Sequence, residues 1–317
     1  MRLLFAGTPE VACPTLTHLL DHTDHEVMAV LTRPDAPVGR HRTPHPSPVA
    51  ALAQDLGIDV LKATSLRQGE VHDAIAALAL DAAVVVAYGG LVPPDLLAVP
   101  RHGWVNLHFS LLPRWRGASP VQHAVMAGDE VTGACVFTLV PDLDAGPVHV
   151  STTVTVSATT TAGDLLTDLA AGGGPLVAQA LDRLAEGTPP TPQDGEGITL
   201  APRLGPDVAR LDPTAPGEEV DRLIRGLSPR PGAWLLDEGQ RFKVLRSRQP
   251  EPDSAAGHEA DLPALQPGQV HLAADGAVLM GTGTTPVELL EVQPSGKRAM
   301  SARDWARGAR PEGRVLA

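Results

Sequence analysis

Apolar and polar positions alternate on two different periods along the first 185 residues. Short apolar runs read as strands at Arg2–Ala6, His25–Thr32, Val60–Lys62, Ala82–Ala87 and Gly103–His108. Val84-Val85-Val86 is apolar without interruption, as in a parallel strand covered on both faces. Between them lie helical stretches. One runs from Pro9, at its first position, to about Leu20, with Thr8 as its expected cap. Others are Ser47–Leu56, with a Ser cap and Pro48 first, and Val71–Leu78. Val131–Leu139 and Val148–Val156 read as neighbouring strands, and Thr161–Ala185 as a long helix interrupted at Gly172–Pro175. Strands alternating with helices predict a doubly wound α/β domain with a mostly parallel sheet over residues 1–187.

The period then breaks. Thr188-Pro189-Pro190-Thr191-Pro192 opens a linker predicted over 188–212. Residues 213–317 hold one helical stretch, Pro216–Gly226. Short apolar segments follow at Ala233–Leu236, Phe242–Leu245, Gly268–Leu272, Val278–Gly281 and Val287–Val292, which predict a small β-barrel.

No run reaches the roughly 18 apolar residues of a membrane helix, and the first residues are too short an apolar stretch for a signal peptide, so a cytoplasmic location is expected. Cys13 and Cys135 lie in apolar stretches without metal spacing and read as buried structural thiols. The net charge of −12 argues against indiscriminate nucleic-acid binding. It is uneven: residues 1–202 carry 10 basic and 21 acidic side chains, residues 203–317 carry 15 and 16. A local basic footprint is therefore open to the second part.

The candidate chemistry gathers at Asn106-x-His108, at the end of a predicted strand, and at Asp142-x-Asp144-x-Gly146 about 36 residues later. Residues two apart on a strand share a face, so Asn106 and His108 can aim at one ligand atom, and ligands of open α/β sheets bind at the carboxyl ends of strands. Taken singly, the histidine reads as readily as a structural residue, and the two aspartates as turn residues. Asp142–Gly146 is too short for a calcium loop and lacks its later acidic ligand. Together, Asn, His and Asp suffice for acyl transfer to an amine, with donors for an oxyanion and a carboxylate to assist proton removal. Gly7-Thr8-Pro9 lacks the dinucleotide glycine spacing, and Gly281-Thr282-Gly283-Thr284 reads as a hairpin turn.

The string Asn106-Leu107-His108-Phe109-Ser110-Leu111-Leu112-Pro113-Arg114-Trp115-Arg116-Gly117 resembles the signature of the methionyl-tRNA formyltransferase family. The resemblance spans nearly the whole chain, through Phe5–Glu10, Pro34–Arg40, Pro46–Val49, Val85–Gly89, Asp142–Gly146 and Gly296–Ser301. It implies a Rossmann-like catalytic domain (1–187) and a C-terminal barrel of the oligonucleotide-binding kind (213–317). The implied reaction passes a formyl group from 10-formyltetrahydrofolate to the α-amine of methionyl initiator tRNA, without a metal and as a monomer. The core motif alone is shared by folate-dependent formyltransferases, so a small amine acceptor is the alternative. The family pattern implies catalytic roles for Asn106, His108 and Asp144. It implies folate contacts at Tyr88, Gly89, Leu91, Ser110, Leu111, Leu112, Pro113 and Asp142, and tRNA contacts at Arg40, Arg42, Arg203, Lys243 and Lys297. The chain departs from the pattern at Phe109, where relatives have a small residue, at Arg203, where they have lysine, at Pro213, where they have tryptophan, and in a first loop without consecutive lysines.

Overall fold

A computed structural model of the chain describes residues 1–38, 43–67, 69–250 and 264–317. Arg40 and Arg42 lie outside the described residues. The chain divides into two compact units. The first comprises residues 1–120, 132–154 and 166–201, the second 121–131, 155–165 and 202–317.

The first unit is built on a seven-stranded sheet. Its strands are β1 (Arg2–Gly7), β2 (Glu26–Thr32), β5 (Val60–Lys62), β6 (Ala82–Val86), β7 (Trp104–His108), β8 (Val131–Thr138) and β9 (Val148–Thr155), in spatial order β5-β2-β1-β6-β7-β8-β9. Pairing is parallel from β5 to β7 and antiparallel between β7 and β8. Every residue of β6 is buried, as its unbroken apolar run requires. One face of the sheet closes over a core that includes Leu4, Leu31, Ile75, Val85, Leu96 and Trp104. Trp104 fills that core without an orphan donor, because its indole N–H donates to the Leu96 carbonyl at 2.7 Å.

Helix α2 (Pro48–Asp55) starts as its sequence predicts: the Ser47 hydroxyl accepts from the Ala50 N–H at 3.0 Å, and Pro48 occupies the first turn. Helix α1 (Cys13–His22) does not. A 3₁₀ turn (Glu10–Ala12) precedes it, and no side chain caps either element. Thr8 is diverted, because its hydroxyl donates to the Tyr88 carbonyl at 2.8 Å. That bond ties the loop after β1 to the loop after β6. The strand order reverses direction at that point, and open α/β sheets form their ligand crevice there. The long helix predicted at 161–185 is two helices, α6 (Ala162–Ala171) and α7 (Gly173–Ala185), broken at Gly172. Strands β3 (Ala36–Val38) and β4 (Thr43–His45) pair antiparallel, in a segment where the apolar pattern predicts no strand. The first unit also holds α3 (Glu70–Ala77) and α4 (Pro94–Leu97), whereas α5 (Pro120–Ala127) falls, but for its first residue, in the second.

The second unit contains an antiparallel half-barrel, in order β10 (Ala233–Asp237), β11 (Gln240–Arg248), β14 (Val287–Gln293), β13 (Val278–Met280) and β12 (Val270–Leu272), with β15 (Met300–Ser301) on β14. Helices α8 (Gly217–Leu227) and α9 (Ala302–Ala309) cover its apolar face through Val220, Ile224, Trp305 and Ala306. Asp221 and Arg225, both buried, pair at 2.8 Å within α8. Ser247 donates to the other Asp221 oxygen, and Arg225 also donates to the Thr160 carbonyl. These added bonds from Ser247 and to Thr160 help to offset the cost of burying the pair. Cys13 and Cys135 are free thiols. Cys135 is buried, which pushes its thiol up to about 12, whereas Cys13 is only half-buried.

Candidate active site

Strand β7 carries both Asn106 and His108 on one face, between the Val85 neighbour on β6 and Phe137 and Cys135 on β8. Asn106 is half-buried, and His108 is 5% exposed. The His108 and Phe137 rings pack in a T-shaped arrangement, their centroids 6.1 Å apart and their planes at 88°. His108 Nε2 lies 2.9 Å from the Trp115 carbonyl oxygen. A carbonyl can only accept, so Nε2 carries the proton and Nδ1 is the ring atom left to chemistry.

Asp144 stands beside that atom, its Oδ2 3.9 Å from His108 Nδ1. At this separation the coupling is electrostatic rather than a hydrogen bond. The carboxylate is instead held by the Gly117 N–H, which donates to Oδ2 at 2.8 Å. Two influences therefore oppose each other at His108. Burial pushes its pKa below the ordinary histidine value, while Asp144 and the Trp115 carbonyl pull upward, and burial dominates. The result is a ring held neutral next to a carboxylate, ready to take a proton and stabilised once it does.

The backbone around the site is unusual. Asp144 has φ +46° and Trp115 φ +64°, both in the left-handed region that L-residues avoid. Each is secured from outside its own loop. The Trp115 N–H donates to Thr199 Oγ1, and Arg116 exchanges backbone bonds with Thr199 and Ala201. Gln193 donates from Nε2 to the carbonyls of Asp144 and Gly146, at 2.8 and 2.7 Å. These anchors come from 193–201, within the stretch whose proline-rich start reads as a linker. Nothing in the spacing of Gln193 or Thr199 marks them in the sequence.

The residues implied for folate are dispersed. Gly89 has φ +78°, and Leu91 is 84% exposed on the loop after β6. Asp142 and Leu143 are exposed on the loop that carries Asp144. Tyr88 sits in the same loop as Leu91, but it is buried in the core, and its carbonyl accepts from Thr8. Ser110 is fully buried, and its hydroxyl donates to the Arg114 carbonyl at 2.7 Å. Leu111, Leu112 and Pro113 line a cavity of about 530 Å³ with Val148, Arg183 and Gln193, and none of Tyr88, Gly89, Leu91 or Asp142 lines it. Phe109 is buried. In the second unit Arg203 and Lys297 are exposed, and Lys243 donates to the Pro231 carbonyl. Among the described residues no group of three or more His, Cys, Asp or Glu could hold a metal ion, and no helix is long and apolar enough to cross a membrane.

Residues 1–181 match the family described as formyl transferase, and residues 203–310 match its C-terminal domain. A methionyl-tRNA formyltransferase of Cutibacterium acnes is 60% identical over 309 residues, covering 98% of this chain and 97% of the relative. One from Acidothermus cellulolyticus is 52% identical over 318 residues, covering 98% of both. Among solved structures, WlaRD, a sugar 3N-formyltransferase crystallised in the presence of dTDP and 5-N-formyl-THF, superposes with a TM-score of 0.65 at 12% identity. The match covers 94% of this chain and 99% of that one. The buried His108 beside Asp144 thus sits in a chain that belongs to the methionyl-tRNA formyltransferase family.

Proposed function

We infer that the chain transfers the formyl group of 10-formyltetrahydrofolate to the α-amino group of methionyl initiator tRNA, yielding N-formylmethionyl-tRNA and tetrahydrofolate. The observation that carries this reading is a desolvated His108 with Asp144 at 3.9 Å, on the strand that bears Asn106. The amine attacks the formyl carbon, and the carbonyl oxygen becomes an oxyanion. Asn106 donates to that oxygen from the face it shares with His108. His108 takes the amine proton at Nδ1, the atom not committed to Trp115, and Asp144 stabilises the imidazolium that forms. The C–N bond to the folate then breaks, and the proton leaves with the folate nitrogen.

The exposed Leu91 and Leu143, on the loops after β6 and β8, offer apolar surface to a flat ring, and Gly89 and Asp142 beside them offer polar contacts. Arg40, Arg42, Arg203, Lys243 and Lys297 serve the phosphate backbone of the tRNA. The enzyme works in the cytoplasm as a monomer, and the proposed chemistry assigns no role to a metal.

The test is Asp144→Ala in the full chain, assayed with 10-formyltetrahydrofolate and methionyl initiator tRNA. Loss of an acid–base partner costs about 10²- to 10⁴-fold in turnover, with tRNA binding unchanged. Turnover within tenfold of the parent would remove Asp144 from the mechanism. Parent enzyme that formylates a free amino-sugar but not the charged tRNA would move the assignment to a small acceptor.

A further inference from the structure

We propose that Gln193 is a positioning residue for Asp144, holding the carboxylate loop in the backbone conformation that aims it at His108. The inference rests on the role given to Asp144 above. The Gln193 side chain uses its whole hydrogen-bonding capacity at this one place. Its two N–H groups go to the Asp144 and Gly146 carbonyls, at 2.8 and 2.7 Å. Its Oε1 accepts from Arg116 Nε and Nη2, at 3.1 and 2.6 Å. The amide orientation follows from polarity: carbonyls only accept and a guanidinium only donates, so Nε2 faces the loop and Oε1 faces Arg116.

The arrangement closes a ring around the carboxylate. Arg116 directly precedes Gly117, whose N–H binds Asp144 Oδ2, and Gln193 joins Arg116 to the carbonyl of the same aspartate. One end of Asp144 is therefore gripped through its side chain and the other through its backbone, from segments 27 and 49 residues away. Such a grip matters because Asp144 has φ +46°, a conformation that relaxes unless its surroundings hold it. If the peptide after Asp144 rotates out of the left-handed region, the carboxylate leaves the 3.9 Å position beside His108 Nδ1. The hydrogen bonds of the Gln193 side chain go to Arg116, Asp144 and Gly146 and to neither His108 nor Asn106, so its route to the reaction runs through Asp144.

The test is Gln193→Glu. Glutamate has the same shape and keeps Arg116, but it offers no N–H to the two carbonyls. The expected result is a kcat lower by about 10- to 100-fold, in line with a misplacement of about 1 Å, while KM for folate and for tRNA stays within about threefold. In the Asp144→Ala background the same change should cost less than about twofold, because the residue it positions is gone. Gln193→Ala, which adds no charge, should show the same kcat-selective loss if Gln193→Glu does not fold. A kcat within threefold of the parent for a folded variant overturns the proposal. So does an equal loss with and without Asp144, which would make Gln193 a general structural support. Asp144→Ala with near-parent turnover would instead take down the role of Asp144 itself, and this proposal with it.

Discussion

Gly146 offers a sharp test of how closely the carboxylate loop must be placed. A β-carbon added there would stand 1.7 Å from the Thr138 carbonyl oxygen and 3.3 Å from Val140 Cγ1. Real β-carbons do not approach closer than 3.0 Å, so the Gly146→Ala loop must retreat from β8 by roughly 1.3 Å. Asp144 lies two residues away on the same loop. Were the retreat to carry its carboxylate from 3.9 Å to about 5.2 Å from His108, the attraction to the imidazolium would fall by about 1 kcal/mol at an effective dielectric of about 20. That alone is about sixfold in rate. Loss of alignment at the reacting centre extends the range to about 100-fold. We therefore expect Gly146→Ala to lower kcat between about 6- and 100-fold in steady-state formylation of methionyl-tRNA, measured well below the melting temperature with folding checked by circular dichroism. A folded variant with kcat within twofold of the parent would show that the loop absorbs the shift elsewhere, and would refute the argument from placement.

Other expectations concern protons and core charges. Burial lowers the His108 pKa in the native state, so the unfolded chain binds this proton more readily; His108 therefore contributes stability above about pH 6.5 that is lost as pH falls through its lower native value. Asp144→Asn removes the charge that raises this pKa, so the His108 ring resonance should titrate at lower pH than in the parent by NMR, and a rise would contradict the sign. In the second unit, Asp221→Ala leaves Arg225 buried without its partner and should cost about 3–5 kcal/mol in urea unfolding, while replacing both by leucine should cost much less. Equal losses for the two variants would mean that the pair is not the source of the penalty.

Several elements are readable from the chain because their determinants are local. The unbroken Ala82–Val86 run, the Ser47-Pro48 start of α2 and the shared face of Asn106 and His108 follow from periodicity and short-range caps. Where a residue's partner is distant, the local reading fails. Thr8 looks like a helix cap, but its hydroxyl goes to Tyr88, 80 residues on. Helices α5 and α9 are not legible in the pattern. Helix α9 is eight residues long, and its apolar positions, Ala302, Trp305, Ala306 and Ala309, show a face only once the half-barrel receives them.

By itself, then, the sequence determined which residue types were available for acyl transfer and on which strand two of them share a face. Tertiary structure decided that Asp144 takes a left-handed backbone, that Gly117 and not His108 holds its carboxylate, and that Gln193 belongs to the site at all. The reason is range. Periodicity acts over neighbouring residues, whereas the bonds that set this site join positions 27, 49 and 77 residues apart, which meet only after the sheet has formed.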